Sequence, residues 1–288
     1  MTTAPCLPAG ALPHGIDVTA AERLDRGWQV TAYRAGAWVI RVPNSTASHA
    51  SIERQTRLYR ALVACGLPVP RDAEVVYDAD ARVLAGIYRH VAGEPATDGR
   101  RTAGLAADLG AFLTALHRVP LERVRDCCET VKDLWAERFE PRWERCRPHL
   151  AAHEAAWMAG VIARFVEGRG LDGAALAPVH GDLAEEHVIV GDDGRLAGVI
   201  DFSGPRIADA ALDFGAVLER FGGPFADAVL GAYDGTVDPG FRRRAEFYAD
   251  VRPLSTMALG LMAGSAERTR SGRERLAARM ASPARTRA

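Results

Sequence analysis

At 288 residues, 48% hydrophobic and 25% charged, the chain has ordinary globular composition and enough length for a sizeable core, in one large domain or two lobes. Its formal net charge of −1 leaves no nucleic-acid footprint and no acidic or basic tail, so no nucleic-acid partner is expected. No run approaches the roughly eighteen apolar residues of a membrane span, and the N-terminus MTTAPCLPAGALPHGI lacks the basic region and apolar run of a signal peptide, so no membrane partner is expected either.

Residues 1–20, rich in Pro, Gly and Ala, read as a lead-in or a cap on the first lobe. Gln29–Tyr33 and Trp38–Val42 are predicted strands joined at Arg34-Ala35-Gly36-Ala37. In the second, Trp38, Ile40 and Val42 alternate with Val39 and Arg41, so Arg41 faces away from the tryptophan. Ser48–Cys65 is a predicted helix in which Ile52, Thr56, Tyr59, Leu62 and Val63 share a face. Ser48 or Ser51 offers a cap, and Gly66-Leu67-Pro68-Val69-Pro70 ends it. Glu74–Tyr77 and Arg82–Tyr88 are two more strands around Asp78-Ala79-Asp80, which makes an antiparallel sheet with one helix. YRHVAGEP, residues 88–95, leaves that sheet through a Gly-Glu-Pro turn.

Gly104–His117 has helical spacing through Leu105, Leu109, Phe112, Leu113 and Leu116, with His117 as a helix-end residue. Residues 121–170 are helical in character, and Trp135, Phe139 and Trp143 recur at i, i+4 and i+8 as core or cleft lining. Residues 224–233, 240–263 and 266–280 are helix-like, and the tail ASPARTRA is expected to be disordered. Five cysteines (Cys6, Cys65, Cys127, Cys128, Cys146), odd in number and without metal-ligand spacing, point to reduced thiols and a cytoplasmic location.

The chemistry concentrates in VHGDLAEEHVIVGDDGRLAGVIDF, residues 179–202. Val188-Ile189-Val190 and Leu196–Ile200 read as the strands of a hairpin turned at Asp192-Asp193-Gly194. Asp182 lies just before the first strand and Asp201 just after the second. Folding the hairpin brings Asp182, His187 and Asp201 around one point. Two carboxylates and an imidazole so placed suit a divalent cation, and a carboxylate left free can act as a base.

His180-Gly181-Asp182 followed by Asp201-Phe202 resembles, in order and spacing, the catalytic and metal-binding loops of protein kinases. The central Gly and the form IDF are similar to those of the aminoglycoside phosphotransferase family of antibiotic kinases. His187 stands where that family usually carries Asn, as it does in the 2″-aminoglycoside and macrolide branches. VIRVP, SIERQTRLYRAL and GLPVP resemble further stretches of the same family.

The resemblance implies an α+β, bilobal protein-kinase-like fold. Residues 1–91 would form a nucleotide-binding lobe of antiparallel sheet plus one helix, and residues 92–288 a larger, mostly helical lobe. Asp182 would be the catalytic base, and His187 and Asp201 would hold Mg²⁺. Arg41 would stand in for the usual strand lysine and pair with Glu53, since Lys132 is the only lysine and lies far away. Gly27–Thr31, a segment with one glycine and no GxGxxG, would cover the phosphates. Backbone groups from Arg89 to Val91 would read the purine edge, with Tyr88 at the back of the pocket, where in the 2″-aminoglycoside branch a large residue goes with use of GTP over ATP. His180, Asp209 and Asp213 would be structural, the two aspartates bracing the catalytic loop through backbone amides.

The implied activity is transfer of a γ-phosphate to a hydroxyl of an antibiotic, an aminoglycoside first, in a monomer or dimer. A polycation needs carboxylates, and Glu185, Glu186, Glu246 and Asp250 are the candidates. Arg242-Arg243-Arg244 and Arg252 place positive charge in the same segment. A macrolide, a basic peptide antibiotic or a small metabolite therefore stays open as acceptor, as does a kinase-like binding module without catalysis.

Overall fold

The computed structural model describes residues 7, 11–26, 29–168, 174–202 and 204–282. Five strands, β1 (Glu22–Arg26), β2 (Val30–Ala35), β3 (Trp38–Pro43), β4 (Glu74–Tyr77) and β5 (Val83–Arg89), pair antiparallel in the order β1-β2-β3-β5-β4. The sequence ERLDR of β1 carries no strand signal of its own. It is an edge strand in which Glu22 and Arg23 are exposed, and its conformation comes from pairing Glu22 with Arg34 and Arg26 with Thr31. Period-2 alternation in β3 sends Trp38 and Ile40 to an outer core with Leu12, Tyr33, Ala85 and Ile87, and Val39 to the opposite side.

α1 (His49–Ala64) packs against the sheet and buries Ile52, Gln55, Thr56, Leu58, Tyr59 and Leu62. It can approach closely because β5 carries Gly86, where a Cβ would meet Ile52 Cγ2 at 2.8 Å. Neither serine caps it through a side-chain bond. A 3₁₀ turn, Thr46–Ser48, leads into it instead.

The remaining elements are mostly helical. β6 (Glu94–Pro95) is followed by α2 (Ala103–His117), capped by the Thr102 hydroxyl, which accepts from the Leu105 N–H at 3.1 Å. β7 (Glu129–Thr130) precedes a π-helical turn, Trp135–Phe139, that runs into α3 (Glu140–Cys146), and α4 (Ala152–Glu167) comes next. β8 (Leu176–Val179), β9 (Val188–Val190), β10 (Leu196–Val199) and β11 (Arg206–Asp209) complete two small sheets, ordered β10-β9-β6 and β7-β11-β8. α5 (Ala211–Phe221), α6 (Gly223–Gly231), α7 (Phe241–Ala263) and α8 (Ala266–Ala281) close the chain. α7 is buried along most of its length, through Phe241, Tyr248, Val251 and Leu254.

One apolar core joins the two halves. Val39, Tyr59 and Tyr88 from the sheet side belong to the same cluster as Val188, Phe202 and Leu212. The segment 121–170, expected to be helical in character, contains the short strand β7, the π turn, α3 and α4, with Pro148 in the 3₁₀ turn that follows α3. Of the tail ASPARTRA, expected to be disordered, Ala281 ends α8 and Ser282 caps it, while residues 283–288 lie outside the described residues.

Candidate active site

The hairpin β9–β10 turns at Gly194, with φ +74°, and docks on the GLPVP junction, where the Val199 N–H donates to Pro68 O at 2.9 Å. Its two ends therefore meet beneath the five-stranded sheet. His180 is fully buried: Nε2 donates to Ile200 O at 2.9 Å, and Nδ1 accepts from the Asp182 N–H at 3.2 Å. Burial, then the neighbouring His187, keeps this imidazole below the usual histidine range and so neutral.

Asp213, at the start of α5, accepts from the His180 N–H at 2.9 Å and the Gly181 N–H at 2.8 Å. His117, the last residue of α2, supports that carboxylate at 3.1 Å and is itself held by Tyr233 Oη at 2.8 Å. Burial pushes the Asp213 pKa up, but the hydrogen bond and charge of His117 and the loop amides outweigh it, and the group stays below the usual carboxylate range. Asp209 plays a different part from the one expected. Its carboxylate receives Arg244 Nε at 2.7 Å and Tyr248 Oη at 3.0 Å, so it ties β11 to α7 and not to the catalytic loop.

The Asp182 side chain opens into the cleft, 61% exposed, while Arg252 Nη2 donates to its Oδ1 at 3.1 Å and Arg252 Nη1 to Gly181 O at 3.1 Å. Burial of the loop raises its pKa; Arg252, then His187 and His180, lower it further still, so it is a carboxylate at neutral pH. His187 Nδ1 donates to Asp182 O at 2.7 Å, which turns the Nε2 lone pair towards Asp201 Oδ2, 3.6 Å away.

Asp201 holds a left-handed backbone, φ +60°, fixed by its N–H donating to Tyr59 Oη at 3.0 Å. Its Oδ1 receives Arg41 Nη1 at 2.8 Å and Gln55 Nε2 at 3.5 Å. Burial raises its pKa, and Arg41 and His187 more than reverse this, to about 2. Phe202 packs between Tyr59 (ring centroids 6.0 Å) and His180 (4.4 Å), so it locks the loop to both halves of the molecule.

Arg41 thus pairs with Asp201 and not with Glu53. The inward stripe of α1 is Ile52, Gln55, Thr56 and Tyr59, spaced i, i+3, i+4 and i+7. Glu53 lies about 100° round the helix from Ile52 and accepts from the Tyr77 hydroxyl at 3.0 Å near the surface. Thr31 is also displaced from its expected place. Its hydroxyl is buried and donates to Asn44 Oδ1 at 2.7 Å, while Val30 and Ala32 on either side line the cleft. Gly27 lies outside the described residues.

Tyr88 is buried beside Val39 and Arg41, edge-on to Tyr59 with ring centroids 5.4 Å apart, and it lines the cleft. Arg89 turns away: its guanidinium lies over Trp38 at 4.1 Å and bonds Asp72 at 3.0 Å, and its N–H donates to Arg71 O at 2.9 Å. Val91 lines the cleft. The cleft has a volume of about 880 Å³, and its apolar walls include Val30, Ala32, Val39, Val91, Ile189 and Ile200.

Of the four carboxylates expected to meet the acceptor, only Glu186 lines this cleft. It bonds Arg220 at 3.1 Å, and Glu185 is held by Arg101 at 3.0 Å and Arg220 at 2.7 Å. Asp250 is buried against Arg279 at 3.0 Å, and Glu246 is exposed on α7. Sequence reasoning missed Tyr59, Gln55 and Arg252. The apolar stripe of α1 already contains positions 55 and 59, but nothing local marks Arg252, which lies 70 residues from Asp182.

Among the described residues no group of three His, Cys, Asp or Glu converges on one point. Asp201 Oδ2 and His187 Nε2, 3.6 Å apart, offer two donors to one ion. Two donors fit a Mg²⁺ ion that draws its other ligands from phosphates and water. No helix is long and apolar enough to cross a membrane.

In known structures this architecture recurs at low sequence identity. The GDP and kanamycin complex of APH(2″)-IIIa is 21% identical with a TM-score of 0.80, covering 93% of this chain and 95% of that one. A macrolide 2′-phosphotransferase type I is 23% identical with a TM-score of 0.71, over 91% and 93%. The streptomycin–ATP–APH(2″)-IIa ternary complex is 22% identical with a TM-score of 0.65, over 91% and 94%. No curated protein matches by sequence. At these identities the likeness establishes the α+β, kinase-like fold. The sequence itself matches the family over residues 19–247, through both halves and every loop described above, and the chain belongs to the phosphotransferase enzyme family.

Proposed function

We propose that this protein transfers the γ-phosphoryl group of a nucleoside triphosphate, GTP or ATP, to a hydroxyl of a small molecule. Residues 1–91 would form the nucleotide-binding lobe and 92–288 the lobe that carries the catalytic loop and the acceptor. The observation that carries the reading is the disposition of two carboxylates. Asp182 is ionised, open to the cleft and oriented by Arg252, while Asp201, His187 and Arg41 meet where the two lobes face each other.

In phosphoryl transfer the charge spreads over the equatorial oxygens, so catalysis is mostly positioning and neutralisation. Asp182 accepts or orients the hydroxyl proton. Arg41, freed from Asp201 by competition, offers its guanidinium to the α- and β-phosphates. Mg²⁺ held by Asp201 and His187 would neutralise the phosphate oxygens. The apolar walls take the base, with Val91 at the hinge and Tyr88 at the back.

The relatives whose complexes contain kanamycin or streptomycin, and the macrolide phosphotransferase, support a hydroxylated antibiotic as acceptor in a cytoplasmic resistance enzyme. The aminoglycoside expectation rests on those relatives alone, because three of its four carboxylates do not line the cleft. A kinase-like binder without turnover is disfavoured by an exposed, ionised Asp182, which binding alone does not require.

The test is nucleoside diphosphate release with Mg²⁺, GTP or ATP and a panel of hydroxylated compounds that includes aminoglycosides and macrolides. Turnover is expected to fall roughly 10²- to 10⁴-fold in Asp182→Ala, with nucleotide affinity kept. A variant within about threefold of wild type in kcat would remove Asp182 from the mechanism.

A further inference from the structure

The acceptor side of the cleft is cationic. Arg138 and Arg142 reach it from the π turn and α3, Arg206 from β11, Arg252 from α7, and Arg268 and Arg275 from α8. These elements all lie in the C-terminal half, whereas the apolar walls for the base come largely from β2, β3 and the hinge. Three of the arginines are partnered by carboxylates: Arg138 by Glu129, Arg252 by Asp182 and Glu219, and Arg275 by Glu219. Among the described residues no carboxylate forms an ion pair with Arg142 or Arg206; the Arg142 guanidinium donates to Arg138 O at 2.9 Å and lies 5.6 Å from the Phe139 ring centroid.

Arg206 lies directly against the catalytic loop. A Cβ on Gly181 would come within 2.8 Å of Arg206 Nη1, and one on Gly204 within 2.9 Å of Nη2. The two glycines make a slot that holds this guanidinium one residue from Asp182. The neighbouring Arg138 and Arg252 each keep a buried Nε–H that makes no hydrogen bond. Burial, then crowding by Arg206 and Arg138, brings Arg142 down to about 10, and Arg206 is lowered by burial and by Arg138, with nearby Asp182 offsetting part of both effects. Guanidinium groups that are desolvated, close together and short of acceptors form a site for an anion, and they repel a polycation.

We propose that the acceptor carries a carboxylate or phosphate beside the hydroxyl that is phosphorylated, and that Arg142 and Arg206 receive this anionic group. The inference rests on the phosphoryl-transfer reading and narrows its acceptor to hydroxylated anions. The planar fork of each guanidinium would fix the anion bidentately, which aims the neighbouring hydroxyl at Asp182.

The experiment is calorimetric titration of the protein loaded with Mg²⁺ and a non-hydrolysable GTP or ATP analogue. Three probes are used: gluconate, glucose 6-phosphate and kanamycin. At least one anionic probe is expected to bind, and the comparison of gluconate with glucose 6-phosphate separates carboxylate from phosphate. Its affinity should fall about tenfold in Arg142→Gln and in Arg206→Gln, with the affinity for the nucleotide analogue and the unfolding temperature unchanged.

The proposal is overturned if kanamycin binds more tightly than both anions, if neither anion binds, or if the variants bind anions as wild type does. A parallel loss of nucleotide affinity would also overturn it, because the arginines would then serve the nucleotide phosphates. Should a glutamine variant fail to fold, Arg142→Lys and Arg206→Lys keep the charge and lose the fork, and the same fall in anion affinity is required of them. If the nucleotide analogue does not load, the kinase reading fails, and the same titration on the nucleotide-free protein still decides whether these two arginines bind anions.

Discussion

Replacing Asp213 by Asn tests how the catalytic loop is held. The carboxylate accepts from two loop amides at 2.9 and 2.8 Å and from His117 at 3.1 Å, with no exposure to water. Asn keeps the shape but offers one acceptor oxygen, and its NH₂ group must face an N–H or the imidazole. One buried donor loses its acceptor and the charge that strengthened the others disappears. Breaking one side of a buried, hydrogen-bonded charge costs about 3–5 kcal/mol. At about 2 °C per kcal/mol for a chain of this size, Tm should fall by roughly 6–10 °C.

The effect must also depend on pH. The folded-state pKa of Asp213 lies below its ordinary value, so its stabilisation is present above the unfolded pKa and is lost as pH falls through the folded one. The difference between wild type and Asp213→Asn should therefore be full at pH 7 and shrink below about pH 4. The assay is thermal unfolding of both proteins from pH 7 down to the acid limit of solubility, with kcat measured at pH 7. Because the loop also positions Asp182, kcat should drop about 10²-fold while nucleotide affinity changes little. A variant within about 1 kcal/mol of wild type at pH 7, or a gap that widens in acid, would refute the bracing argument.

Three further outcomes are expected. Asp201→Asn should abolish turnover and weaken Mg²⁺-dependent nucleotide binding, because it removes a charged ligand, whereas His187→Asn, which replaces one neutral donor by another, should be milder; equal losses in titrations of Mg²⁺ against nucleotide would show that the ion depends on both donors alike. In double-mutant cycles on unfolding free energy, Arg41 should couple to Asp201 by about 1 kcal/mol or more and to Glu53 within about 0.5 kcal/mol of zero; the reverse pattern would refute the Arg41–Asp201 pairing. Tyr88→Ala should raise kcat/KM for ATP relative to GTP by opening the back of the base pocket, and an unchanged ratio, or a wild type that strongly prefers ATP, would show that Tyr88 does not select the base.

Much of this protein was legible in its residues because the relevant signals are local. The Asp-Gly turn, the apolar runs on either side and the spacing from His180-Gly181-Asp182 to Asp201-Phe202 place two carboxylates at the two ends of one hairpin, which the structure contains. Helical periodicity located α1, α2, α7 and α8 to within a few residues. Partnership was not legible. Arg41 and Asp201 are 160 residues apart and Arg252 and Asp182 are 70 apart, and no periodicity links such positions. Rotation of α1 on the sheet brought Gln55 and not Glu53 to Asp201, and packing of α7 turned Asp250 to Arg279 and Arg252 to Asp182. Even β1 exists only because β2 supplies its hydrogen bonds. A sequence shows which faces of an element are apolar, since that follows from 2.0 or 3.6 residues per repeat. Which charge meets which is decided when those faces pack, because a buried charge must find a partner among whatever the packing brings within reach.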